Sequence, residues 1–370
     1  MNILYFAPVD WGFIRQRPHH FSERLAARHE FHYVQPLGLR SLELGDIGRA
    51  IRRAAGFFER CGSGGKVRII NPFFLPVRVP TVEYLNGLLL KMQMRKYVDA
   101  DTIVWVTVPS NPLSYLLKRL RYKLLVYELM DDYEMMQPQF AREIRETEEE
   151  IAGSADVIIT TSSALNEKAR RLNNKAVVQL VSNGVDFDFF ANLHQLSPTG
   201  PGSGRKTVGF IGSIDRWLDF ETISFIAEKR RDLEFIFIGP VRTKNVPEAE
   251  NIRYLGKKDY ADMPRYCSSF DVCLVPFKPG AFADTVNPVK LYEYFALGKP
   301  VVAYRMRELA FFDGLVYLAE DKADFLGKLA LALSEDDSGL AAKRKELARN
   351  NDWAEKVRAV EAVLTGNWIL

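Results

Sequence analysis

No apolar run in this chain reaches the ~18 residues that a membrane-crossing helix needs. The first residues, MNILYFAPVDWGF, carry no basic n-region and no long apolar core, so they do not read as a secretory signal; they read as a buried strand. Cysteine is scarce: the three thiols, Cys61, Cys267 and Cys273, form no Cys-x-x-Cys pair and no even framework, which fits reduced thiols in the cytosol. Cys267 and Cys273 sit among apolar neighbours and read as packing residues. The net charge of +3 is too small to argue for a nucleic-acid partner, and none is expected. A GxGxxG turn is absent, which speaks against an NAD-dependent oxidoreductase.

What is present is an ordinary globular composition, 47% apolar over 370 residues, enough for about two domains at roughly 150 residues each. Apolar runs of strand length alternate with helical patterns. Strands are predicted at Ile3–Ala7, Phe31–Gln35, Val67–Ile70, Thr102–Val108, Lys123–Tyr127, Val157–Thr161 and Val177–Val181. Helices are predicted at Pro18–Arg28, Thr81–Val98, Pro112–Leu120, Phe140–Ala152 and Ala164–Leu172. The runs are apolar throughout, as in parallel strands covered on both faces. After a Gly/Pro/Ser-rich segment, Ser197–Arg205, the alternation restarts. Strands then follow at Thr207–Ile211, Glu234–Ile238, Val272–Pro276, Pro300–Tyr304 and Val316–Ala319, with helices at Phe220–Lys229, Met263–Ser268, Pro288–Leu297, Asp324–Leu333 and Trp353–Leu364. The fold class is α/β, with two Rossmann-like domains facing a cleft. The expected division is 1–183, 184–351, and a C-terminal helix in 352–370 that packs back on the first domain.

The segment Asn287–Tyr304, NPVKLYEYFALGKPVVAY, reads as a short helix and the strand after it. Asn287 suits an N-cap, Pro288 the first helical position, and Gly298 the left-handed residue that ends the helix. Lys290 and Glu293 then share a face. A lysine in the first turn opposes the helix dipole, which makes sense if an anion binds there. The bland reading is an exposed i,i+3 pair. Gly212 and Ser213 end the strand Thr207–Ile211, at a turn where backbone N–H groups can meet a phosphate; a plain tight turn is the alternative. Arg216 either reaches a diphosphate or is solvated.

In the first half, Gly12 lies in the turn after the first strand, followed by Arg15, Arg17, His19 and His20. Such a cluster at a strand's carboxyl end suits an acceptor with phosphate or hydroxyl groups; the alternative is one buried and one exposed histidine. Asp131 and Asp132 follow another strand and suit either a general base for an acceptor hydroxyl or a cap. Asp99 and Asp101 form a DxD at the wrong strand end and read as structural. Glu143–Glu150 reads as a solvated helix face. Basic residues mix with apolar ones at Arg49, Arg52, Arg53, Phe57 and Phe58, at Lys91, Arg95 and Lys96, and at Lys118, Arg119, Arg121 and Lys123. That surface suits either an anionic membrane or ordinary solubility.

NPVKLYEYFALGKPVVAY resembles the donor-site motif of bacterial GT-B glycosyltransferases. VSNGVDFDFF at Val181–Phe190 resembles the element with which their second domain begins. RPHHF and VYELMDDY resemble teichuronic-acid and exopolysaccharide glycosyltransferases and, more distantly, xanthan-type glucuronosyltransferases. The resemblance spans nearly the whole chain. It implies that Glu293 holds the ribose hydroxyls of the donor, that Lys290, Asn287, Ser213 and backbone near Gly212 meet the diphosphate, and that the base lies near Tyr254–Lys257. It implies Asp131 as catalytic base. Three positions depart from the family pattern. Thr285 stands where retaining members carry a second glutamate, and Ser213 and Leu218 stand where they carry Arg and Lys.

The expected function is therefore metal-independent transfer of a sugar from a nucleotide diphosphate-sugar, UDP before GDP, to a lipid-linked surface or extracellular glycan. It would take place in the cytoplasm at the inner face of the membrane, with Asp131 and Lys290 as catalytic residues. The donor is a co-substrate and no cofactor is expected. The rival is a non-catalytic nucleotide-sugar-binding subunit of a glycan assembly complex.

Overall fold

The computed structural model describes residues 1–37, 58–61 (backbone only), 65–75, 79–192 and 204–366. The described chain divides into two compact units, Met1–Val181 with Ala359–Leu370, and Ser182–Arg358.

The first unit carries an eight-stranded sheet: β1 Asn2–Phe6, β2 Glu30–Val34, β3 Phe58–Cys61, β4 Val67–Asn71, β5 Thr102–Val106, β6 Leu124–Leu129, β7 Val157–Thr160 and β8 Val177–Leu180. Their order is β3-β4-β2-β1-β5-β6-β7-β8. Every pairing is parallel except β3 with β4. The central strands are buried along their whole length, as Thr102–Val106 shows, because helices cover both faces. Asp99 closes the turn into β5, accepting from Thr102 Oγ1 at 2.7 Å and Asp101 N at 3.0 Å, which is the structural role read for this pair. Glu361, in the helix Trp353–Leu364, completes this unit by pairing with Arg28 and His29, each at 2.9 Å.

The second unit carries a six-stranded, all-parallel sheet: β9 Thr207–Ile211, β10 Glu234–Ile238, β11 Ile252–Tyr254, β12 Val272–Val275, β13 Val301–Tyr304 and β14 Tyr317–Ala319. The order β11-β10-β9-β12-β13-β14 reverses direction between β9 and β12. That reversal opens a crevice at the carboxyl ends of those two strands, where doubly wound sheets take ligands. Residues 184–186 and 351–353 run side by side: Val185 N donates to Asn351 O at 3.1 Å and Trp353 N to Val185 O at 2.9 Å. Cys267 and Cys273 are both buried free thiols in this unit's core, the packing role read for them.

Several elements lie outside the sequence reading: β3, β11, and the helices Tyr133–Met136, Phe187–Ala191, Ala281–Thr285 and Ser338–Asn350. The acidic run Glu143–Glu150 is not simply a solvated face. Glu148 is buried, accepting from Tyr127 Oη at 2.7 Å and pairing with Lys168 at 2.8 Å. Arg49, Arg52, Arg53 and Phe57, the side chain of Phe58, and most of the Ser197–Arg205 segment lie outside the described residues.

Candidate functional site in the second unit and an acidic locus in the first

The crevice of the second unit is built by two glycine turns and one short helix. Gly212 leaves β9 with φ of +133°, in the region only glycine tolerates well. Its N–H donates to Ile238 O at 2.9 Å. The next strand end crosses directly over it: a β carbon on Gly239 would stand 1.9 Å from Gly212 O, so that position excludes any side chain. Ser213 follows, half-buried. Among the described residues, nothing accepts from its N–H or engages its hydroxyl. A free N–H in a turn at a strand's carboxyl end attracts anions.

The helix facing this turn is Val289–Ala296. It begins one residue later than predicted, with Pro288 in extended conformation as its N-cap, and Gly298 ends it at φ of +71° as expected. Asn287 is therefore not the cap, and its amide is occupied. Asn287 is buried, accepts from Asn183 N at 2.9 Å through Oδ1, and donates through Nδ2 to Tyr292 Oη at 3.2 Å and Glu308 Oε2 at 3.4 Å. Asn183 Nδ2 donates in turn to Asn287 O at 2.7 Å. Asn287 thus ties the helix start to the chain entering this unit.

Lys290 is recessed in the crevice. Its ammonium lies over the rings of Phe277 at 4.7 Å and Phe210 at 5.1 Å. It makes no hydrogen bond and no ion pair with any described residue, Glu293 included, so the bland i,i+3 pair is not what forms. Burial pushes its pKa down to about 8, against the opposing pull of Glu293. Burial likewise pushes Glu293 up to about 7, although the lysine charge opposes this. Both keep partial solvent access. A cation held by π-faces beside the unengaged Ser213 N–H is a receptor for an anion, and a carboxylate one turn on can accept from hydroxyl groups. Arg216 is exposed on the same loop. Thr285 points back into its own helix, donating to Phe282 O at 2.7 Å, so no second carboxylate stands there. Tyr254 donates to Pro247 O at 2.8 Å.

In the first unit the residues read as an acceptor cluster are placed differently. Gly12 is exposed in its turn. Arg17 is 3% exposed; its Nε donates to Glu128 Oε1 at 2.6 Å and its Nη1 to Val181 O at 2.9 Å. Glu128, the last residue but one of β6, is fully buried, and its charge requires this partner. His19 and His20 are both buried. His19 Nδ1 accepts from Gln16 N at 3.2 Å and its Nε2 lies 3.2 Å from Trp11 O, a neutral ring in a helix cap. Burial lowers its pKa, and lowers that of His20 further with the help of Arg15 and Arg24. Both histidines are buried, so the alternative of one buried and one exposed histidine is not what forms.

The two aspartates after β6 divide their roles. Asp132 caps the helix Tyr133–Met136, accepting from Met135 N at 3.1 Å, and pairs with Lys168 at 2.9 Å. Asp131 accepts from no described residue. Burial, then the charge of Asp132, pushes its pKa up to about 6. Such a carboxylate is a stronger proton acceptor than an ordinary one. Among the described residues, no group of three or more His, Cys, Asp or Glu is arranged to hold a metal ion.

Phe210, Phe277 and Gly239 belong to the crevice but escape the sequence reading. The Gly239-Pro240 pair directly after a strand was the available signal for the second turn. Nothing marked the phenylalanines apart from core.

Residues 205–336 match the family model described as Glycosyl transferases group 1. The chain is 27% identical over 273 residues to TuaH of Bacillus subtilis (strain 168), named as a teichuronic acid biosynthesis glycosyltransferase; the match covers 68% of each protein. Its fold is that of sucrose-phosphate synthase from Thermosynechococcus elongatus, with a TM-score of 0.75, 14% identity and 99% of both chains covered. The UDP-forming trehalose-phosphate synthase from Burkholderia xenovorans is similar too, with a TM-score of 0.70, 13% identity and 98% of both chains covered. The chain is a two-domain protein of the GT-B fold, related to bacterial glycosyltransferases.

Proposed function

We propose that this protein transfers a sugar from a nucleotide diphosphate-sugar, UDP before GDP, to a lipid-linked glycan of the cell surface, at the cytoplasmic face of the membrane. One observation carries the donor half: Lys290 holds an unpaired ammonium between two rings, beside the Gly212-Ser213 turn. The family match over residues 205–336 and the similarity to TuaH support the reaction class.

In this reading Lys290 and the Ser213 N–H bind the diphosphate and stabilise the charge that grows on it as the sugar–phosphate bond breaks. Glu293 accepts from the ribose hydroxyls. Asp131 takes the proton of the acceptor hydroxyl, whose oxygen bonds to the anomeric carbon while the nucleoside diphosphate leaves. With Asp131 as base the reaction follows the inverting course. Because Lys290 supplies positive charge, the reaction runs without a resident metal. Calorimetry with UDP and GDP, then transfer assays with the matching sugars, test this. Failure of every nucleotide diphosphate to bind would remove the donor assignment.

The rival, a nucleotide-sugar-binding subunit without catalysis, draws on the Thr285 hydroxyl turned back into its helix. Donor binding without hydrolysis or transfer, unchanged by Asp131→Ala, would establish it instead.

A further inference from the structure

The helix Pro80–Met94 of the first unit is built inside out. Its buried stripe holds Glu83, Asn86 and Gly87 with Leu90 and Met94. Glu83 Oε2 accepts from Asn111 Nδ2 at 2.8 Å, and Asn86 holds both the N–H and the carbonyl of Leu75, at 2.7 and 2.9 Å. Gln93 does the same for Phe73, at 2.7 and 2.8 Å. Gly87 brings the helix against its neighbour Asn111–Leu117; a β carbon there would stand 2.6 Å from Tyr115 Cβ. These bonds fix the rotation of the helix. The side chains turned outward are then Tyr84 (41% exposed), Leu85 (48%) and Met92 (66%), with Val79 (42%) just before the helix. Ordinary amphipathic helices do the reverse.

The outward stripe is also basic. Lys91 and Arg95 continue it, both exposed and without an ion-pair partner among the described residues. Arg119 lies over the Tyr84 ring at 5.6 Å. Glu83, the one acidic residue of the helix, is buried. Because the helix follows β4, its first turn starts at the carboxyl end of the sheet, the end from which Asp131 follows β6.

We propose that this stripe, Val79, Tyr84, Leu85 and Met92 with Lys91, Arg95 and Arg119, docks the first unit onto an anionic lipid bilayer. Apolar side chains enter the headgroup boundary while the basic ones meet lipid phosphates. An apolar stripe whose exposed charges on this helix are Lys91 and Arg95 complements an anionic partner. The inference deepens the membrane part of the proposed function by naming its surface.

The test is sedimentation of the full chain with vesicles of phosphatidylcholine alone or with one-third phosphatidylglycerol. Binding to the anionic vesicles only, weakening as salt rises, is expected. Each basic residue near such a surface contributes about fivefold to partitioning, so Lys91→Glu with Arg95→Glu lowers it by roughly 25-fold or more. Leu85→Asp with Met92→Asp also lowers it, with the melting temperature unchanged because both residues are already exposed. The proposal falls if the wild type ignores anionic vesicles at low salt, or if both double variants bind as the wild type does. It falls equally if light scattering shows a dimer that Leu85→Asp dissolves, which would give the face to a second copy. UDP affinity, measured on the same preparations, reports the donor reading separately: its absence leaves vesicle binding fully readable.

Discussion

Lys290 packs directly against Gly212: a β carbon on that glycine would stand 3.0 Å from Lys290 Cε and 3.4 Å from its Nζ. The turn and the lysine are therefore one feature, although 77 residues of chain (Gly212 to Lys290, exclusive) lie between them. The substitution Gly212→Ala forces a side chain into a positive-φ position and against the ammonium at once. Backbone strain of this kind costs about 1–3 kcal/mol. Denaturant unfolding should show that loss of stability, and calorimetry a weakened nucleotide diphosphate.

Removing the ammonium tests its role without touching the backbone. A charge-assisted hydrogen bond contributes about 1.5–3 kcal/mol, so Lys290→Met should weaken UDP binding by roughly tenfold to a hundredfold. Near-wild-type affinity would dismiss the crevice as the donor site.

The same pair sets a pH window. On the proposed reading the diphosphate binds the protonated form of Lys290, whose pKa is pushed down to about 8, so affinity should decline as pH rises through that value. Glu293 accepts from hydroxyls as a carboxylate; with its pKa pushed up to about 7, affinity also declines as pH falls through that value. Donor affinity should peak between the two limbs. Glu293→Gln should remove the acid limb and Lys290→Met the alkaline one, read by calorimetry across pH.

Asp131 should act on the rate and leave donor affinity alone. General-base catalysis contributes about 10²–10⁴-fold, so Asp131→Asn should lower kcat by that range with UDP affinity unchanged. Asp131 is a base only when ionised, so transfer declines below its pKa of about 6, and this limb vanishes in the variant. Product stereochemistry, read by NMR, should show inversion.

Arg17 should do the opposite. Arg17→Met leaves Glu128 buried with an uncompensated charge, which costs about 3–5 kcal/mol. The unfolding midpoint should fall sharply while UDP affinity in the surviving folded fraction stays level. An intact midpoint with lost transfer would return Arg17 to the acceptor site.

The framework of both sheets was legible because apolar strands such as Thr102–Val106 and Thr207–Ile211 can only be buried on both faces. The missed strands are edges: β3 carries Glu59 and Arg60, and β11 has three residues, so neither shows the apolar run. The helix Ser338–Asn350 was missed because its pattern is polar; it is anchored by buried Arg344, whose guanidinium pairs with Glu335. At the site, Lys290 and Glu293 were legible because their helix is written with its stop signal. As an N-cap Asn287 misled, because an asparagine before proline signals a cap and only the fold brings Asn183 to it. The buried pairing of Arg17 was not legible for a related reason: its partner Glu128 lies far along the chain.

The pairing of Val185 with Asp352 has a consequence for how the molecule can be taken apart. The chain enters the second unit and leaves it at neighbouring points, so the stretch Ser182–Arg358 is topologically an insert with its ends already joined. Such a body can be excised, or its termini relocated to a surface loop, with little cost in chain closure. On the proposed assignment of sites, donor binding then becomes a property that can be isolated, transplanted and evolved apart from the first unit.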